Sequence, residues 1–243
     1  MLTRNAAKLA ERESRRLAPH EKGLPWHLAI LATLLYAALA LWMGACLFRL
    51  PKGFLWQQPW GRDILFGVGA GIVLFAKVRL IPIYILGHEL THWLAAKLTG
   101  CPTGKIRLGL RKGSVEVLGG GGFVSLAPYV FPFYAALWGG LVAFCSLLPL
   151  DYPAWARPDA LFLLGAAWAY HLILTIYAIR IGQSDFDYWG RIPSFAFILA
   201  GNLLLVFAIL ALASPDPRDL WNLPWETLRD AVIALHAQFS SAA

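Results

Sequence analysis

Charge is scarce in this sequence. Asp, Glu, Lys and Arg make up 14% of its 243 residues, where a soluble domain carries about a quarter. The 58% of residues that are hydrophobic fall in long runs, which excludes an ordinary water-facing surface and points to membrane spans. Cysteine is scarce as well. Cys46, Cys101 and Cys145 form no CxxC pair, so there is no disulfide framework, and the two in apolar runs read as buried thiols. There is no internal repeat and no separate soluble domain. A cleavable signal is not expected: residues 1–25 are polar and charged, and the apolar run after them is too long for a signal core. The formal charge is +7, yet no basic-aromatic surface accompanies it, which argues against nucleic acid as a partner.

What is present is a succession of apolar runs. A basic tail over residues 1–25 carries Arg4, Lys8, Arg12, Arg15, Arg16 and Lys22. Run one, about Leu28 to Phe48, has no charge and is long enough to cross a bilayer. Trp56 and Trp60 follow in a loop and suit an interfacial belt. Run two, Ile64 to Leu98, is interrupted by Lys77, Arg79 and Pro82, so it reads either as one long crossing or as two short elements. Residues 101–122 have a different texture. Alternating β-branched residues around Arg111-Lys-Gly113 predict a short β-hairpin, and Gly119 to Gly122 predicts a hinge. Three further runs cover about 123–150, 160–181 and 193–213, and residues 214–243 predict a short amphipathic helix. The fold expected is an all-α polytopic membrane protein of five to six transmembrane helices, with a hairpin after the second run.

Lys and Arg set the expected orientation. With run two as one crossing, the segments on the side of the tail hold thirteen and those on the opposite side six. The positive-inside rule then places the N-terminus in the cytoplasm and the C-terminus outside.

Chemistry enters at His88-Glu89-Leu90-Thr91-His92. On a helix, positions i and i+4 share one face about 6 Å apart, so both imidazoles can bind one ion. Glu89 stands beside that face, where it can take a proton from water activated by the metal. Ionisable residues in an apolar segment are costly, and three within five positions indicate function rather than packing. A catalytic zinc takes a third protein ligand. The extended HExxHxxGxxH pattern is absent, with Ala95 and Leu98 at the later positions, and the only following glutamates, Glu116 and Glu226, lie in the hairpin and the tail. Two candidates stand out: Asp185, with Asp187 nearby, and His171 in run four. Two crossings separate the motif from residues 182–189, so these end on one membrane side. At 1.5 Å per residue, His88 lies about 15 Å from the end of its helix, and His171 about as far from Ile181. Asp185 then has to dip inward through an unwound Gly182-Gln-Ser184 stretch.

Taken together, His88-Glu-Leu-Thr-His92, Ala95-Ala96, Gly100, the hairpin, the glycine stretch, the segment Ser125 to Pro132 and the late Asp185 resemble the site-2 protease family of intramembrane zinc metalloproteases. The resemblance spans roughly residues 64–210, its specific part is short, and it points to a divergent bacterial-type branch. It implies Zn2+ held by His88, His92 and Asp185, Glu89 as base, a transmembrane protein as substrate and a bacterial inner membrane as location. His171 then becomes a hydrogen-bond donor, either to a group that supports a metal ligand or to the transition state. The chain departs from the family's late motif: Ser184-Asp185-Phe186 stands without a preceding Asn-Pro, and no PDZ-like domain is present. The rival expectations are a non-catalytic membrane zinc-binding protein and a metal or solute transporter.

Overall fold

The structure, a computed structural model, describes residues 24–110, 112–148, 156–214 and 217–241. All but the last two residues of the expected basic tail lie outside that description, as does Arg111 at the hairpin turn. In chain order the elements are α1 (Trp26–Phe48), a short α2 (Phe54–Gln57), α3 (Pro59–Lys77), α4 (Ile81–Leu98), β1 (Thr103–Leu108), β2 (Gly113–Val117), α5 (Gly122–Val130), α6 (Phe133–Ser146), α7 (Ala156–Ile181), a 3-10 turn (Ser184–Asp187), α8 (Arg191–Ala213) and α9 (Pro217–Ser241). Among the described residues, α1, α3, α7 and α8 are long and apolar enough to cross a membrane. The pair α5 and α6, bent by 67° at Phe131-Pro132, adds a fifth span when counted as one. The protein is thus an all-α polytopic membrane protein with one small hairpin. Its outward side chains agree: Leu34, Leu41 and Phe48 of α1 are exposed, a face that lipid covers better than water.

Two helix pairs form the frame. Helices α3 and α7 run side by side in the same direction, with Gly71 opposite Ala169, Phe75 against Tyr170 and Arg79 over the ring of Tyr177. Gly67 and Gly165 make the close approach possible. A Cβ on Gly67 would strike the Phe162 carbonyl, and one on Gly165 the Ile64 carbonyl. Small residues at this spacing let helix backbones meet in lipid, where no hydrophobic driving force remains between apolar surfaces. Helices α1 and α8 are likewise parallel. Tyr36 packs on Phe197 near one end, and Met43 and Cys46 enclose Phe207 toward the other. Trp60 joins this frame rather than an interfacial belt: it is buried against Phe54 and Leu210, while Trp56 is exposed as expected.

Run two is two helices. The chain leaves α3 at Val78 and enters α4 through Leu80, whose φ of 35° is left-handed. No Gly relieves that conformation, so it carries local strain. The Leu80 carbonyl accepts a hydrogen bond from the Tyr170 hydroxyl at 3.0 Å. Helix α4 therefore starts beside Tyr170 of α7. Strand β2 then folds back on α4. Gly113, Val115 and Val117 are partly covered while Ser114 and Glu116 are exposed, the alternation of a strand covered on one face. Pairing is antiparallel, with Ile106 opposite Val115 and Arg107 opposite Ser114. Within the glycine run, a Cβ on Gly119 would meet nothing within 4 Å, whereas one on Gly120 would strike Val117. Gly122 opens α5, and the Trp189 indole fills the space its Cβ would need.

At the far end from β2, α9 packs on α1 and α8. The Trp42 indole donates to the Pro224 carbonyl at 3.2 Å, and Arg49 pairs with Asp230 at 2.8 Å. The amphipathic helix expected from residue 214 onward is this element.

The close approach of α3 and α7 sets a stability test. Gly67→Ala is expected to lower stability by roughly 1–3 kcal/mol through overpacking. Gly69→Ala, two residues on, meets nothing within 4 Å and should leave stability unchanged. Thermal unfolding in detergent compares them, and equal effects would contradict the packing described.

Candidate metal centre

Helix α4 places His88 and His92 one turn apart on the face it turns toward the protein interior. Their Nε2 atoms come within 3.1 Å of each other. Asp185 arrives from the opposite side by three local devices. Gly182 takes φ +71° and ends α7, a conformation Gly adopts without steric cost. The 3-10 turn follows, and Phe186 is driven into the core beside Leu126, Tyr129, Ala178 and Ile198. With Phe186 inward and the Ser194 hydroxyl donating to its carbonyl, the adjacent carboxylate faces the histidines. Asp185 Oδ2 stands 3.5 Å from His88 Nε2 and 3.7 Å from His92 Nε2. The approach expected of Asp185 is met at this turn: Gly182 ends α7, and the carboxylate of the 3-10 turn reaches His88 and His92.

This donor set fits a divalent ion. Tetrahedral zinc with bonds of about 2.0–2.1 Å holds its ligand atoms about 3.3–3.4 Å apart, close to the three separations found. The tautomers fit as well. His92 Nδ1 lies 2.8 Å from the Val124 carbonyl, which can only accept, so Nδ1 carries the proton and Nε2 turns its lone pair to the centre. Burial alone would raise the Asp185 carboxyl. Hydrogen bonding to the His88 and His92 imidazoles and to the Tyr129 hydroxyl holds it well below the usual carboxylate range instead. The three residues form the one group of three or more His, Cys, Asp or Glu arranged to hold a metal among the described residues.

Glu89 is buried and outside the ligand triangle. It takes a hydrogen bond from the backbone of Val115, so this N–H of β2 points at Glu89 and away from β1. Gly113 is equally close. A Cβ there would lie 2.7 Å from Glu89 Cγ and 2.9 Å from its Oε1. The free edge of the hairpin thus runs directly over the motif glutamate.

Of the other residues read from sequence, His171 lines a small cavity with His88 but is outside the ligand group. Asp187 is also outside it. Sequence reasoning did not single out Tyr129. Its hydroxyl donates to Asp185 Oδ2 at 2.5 Å, and its ring packs edge-on to His88 at 5.3 Å. Tyr84 was also missed, although it shares the α4 face one turn before His88 and lies 5.3 Å from it, ring to ring. That i−4 spacing is the signal that could have found it; nothing in the sequence pattern marks Tyr129 or the Val124 carbonyl.

Comparison with known protein families, with curated proteins and with solved structures finds no match.

The carboxylate's orientation is testable through the metal. Asp185→Asn should abolish tight zinc binding and Asp187→Asn should leave it intact. Tyr129→Phe should weaken it by about 10- to 100-fold, the usual effect of losing a group that orients a ligand. Chelator competition on detergent-purified protein reads all three, and an unaltered affinity in Asp185→Asn would remove this residue from the centre.

Proposed function

We propose that this chain is an intramembrane zinc metalloprotease that hydrolyses a peptide bond within or next to a transmembrane segment of another protein. One observation carries the reading: two imidazole nitrogens and a carboxylate oxygen converge, and a glutamate that ligates nothing stands beside them. A non-catalytic zinc site has no use for that fourth group. Zinc bound there supplies a Lewis acid that lowers the pKa of water toward about 7.

The protein's own residues carry the remaining work. Glu89 accepts a proton from the attacking water as its oxygen adds to the peptide carbonyl carbon. Once the C–N bond breaks, the same proton passes to the leaving amine. A carboxylate can do both because its protonated form is the acid the second step needs. Hydrolysis also requires an extended substrate, since a helix hides its carbonyls in its own hydrogen bonds. The free edge of β2 over Glu89 supports this requirement: a substrate segment drawn out as a strand can pair with it beside the base. Asp185 follows the end of α7, which favours bonds near one membrane surface over bonds at mid-depth. The charge bias supports the cytoplasmic surface of a bacterial inner membrane as that side.

Glu89→Gln separates the enzyme from a structural zinc site. The variant should keep about one zinc per chain by elemental analysis. It should lose cleavage of transmembrane peptides by at least about 100-fold, the scale of a lost general base, as read by mass spectrometry of the products. Undiminished cleavage, or unaltered protein that holds no zinc after reconstitution, would defeat the proposal.

A further inference from the structure

Beside His88 lies a cavity of about 20 Å³, bounded by α4, α6, α7 and the bend between α5 and α6, with Asp185 outside its lining. Six of its lining residues have polar side chains: Tyr84, His88, Thr91, Tyr134, Tyr170 and His171. Three of them are satisfied within the protein. Thr91 donates to the Gly87 carbonyl at 2.7 Å, Tyr134 to Ile83 and Tyr170 to Leu80. The other three each bring a buried polar atom with no partner: the Tyr84 hydroxyl, His88 Nδ1 and His171 Nε2.

An orphaned polar atom in such surroundings costs about 1–3 kcal/mol, and three around one cavity make an empty site improbable on energetic grounds. The volume matches one water, which needs about 10–15 Å³ and two to four polar partners. The chemistry matches too. When His88 Nε2 faces a metal, the ring's proton must sit on Nδ1, so that atom donates. Water can accept from it and still serve His171 Nε2 and the Tyr84 hydroxyl, whichever way each of these is protonated.

We infer that this cavity is a binding site for a single structural water, through which His171 and Tyr84 orient the zinc ligand His88. Ligating histidines characteristically give their second N–H to a carboxylate, a carbonyl or water. His92 has the Val124 carbonyl for this purpose, and His88 has the water. His171 is then a positioning residue that acts through the water, the ligand-supporting one of the two roles expected from sequence. The inference rests on the zinc reading above.

The test measures metal affinity rather than turnover. Tyr84→Phe keeps the ring and removes only the hydroxyl. His171→Phe removes the nitrogen, and His171→Gln restores a polar group able to reach the water. Zinc affinity by chelator competition should fall about 10- to 100-fold in His171→Phe, fall less in Tyr84→Phe, and recover in His171→Gln. If His171→Phe does not fold, Tyr84→Phe and His171→Gln decide. A loss in the first with near-normal affinity in the second supports the bridge, and unchanged affinity in Tyr84→Phe overturns it. Unaltered protein that binds no zinc would overturn the metal reading and the bridge together. Unaltered protein that binds zinc, with His171→Phe and Tyr84→Phe equally tight, overturns the bridge alone.

Discussion

Three electron-rich atoms held within 4 Å of one another are the constraint around which this protein is arranged. Lone pairs crowded in a poorly hydrated setting repel unless a proton or a cation stands among them. Much of the local structure can be understood as bringing these atoms together and keeping them there. The left-handed Leu80 starts α4 against Tyr170 of α7, Gly182 ends α7, and Phe186 anchors the turn in the core. Tyr129 and the Val124 carbonyl, both from α5, fix the directions of Asp185 and His92. None of these contacts alone makes a metal site. Their joint effect is that each side chain's rotamer is settled in advance, which would spare a bound ion the entropy of ordering them.

The frame that holds these devices is built differently from a soluble core. Apolar side chains cannot drive α3 and α7 together in lipid, so the contact relies on backbone proximity at Gly67, Gly71 and Gly165. The same two helices carry the strained break and the end of α7 to matching heights. Packing at one end of the frame therefore fixes alignment at the other.

How far the sequence could be read depended on the range of each interaction. His88 and His92 were legible because helical periodicity puts i and i+4 together whatever surrounds them. The hairpin was legible because Val115 and Val117 alternate with Ser114 and Glu116, and a half-covered strand requires that pattern. Asp185 was a candidate by elimination and resemblance, but its approach was not legible. The turn that delivers it depends on Phe186 packing against Leu126, Tyr129 and Ile198, contacts distant in sequence. Trp60 was misplaced for a similar reason. A tryptophan at a run's edge suits an interface, and only the arrival of Leu210 from the far end of the chain shows that it is enclosed. The close packing at Gly122 was not legible either, because the Trp189 indole beside it is contributed by a segment far downstream.

The position of Gly113 has a consequence for latency. With β2 lying on Glu89 and the Val115 amide hydrogen-bonded to it, the resting base is already engaged by the protein's own backbone. On the protease reading, a passing loop or a folded helix offers nothing to take the place of that amide, and the carboxylate stays occupied. Only a segment that can unwind and present its own main chain competes for the position. On that reading, selection would discriminate by a segment's readiness to lose its helix, and a hydrolytic centre would sit among helical neighbours without attacking them.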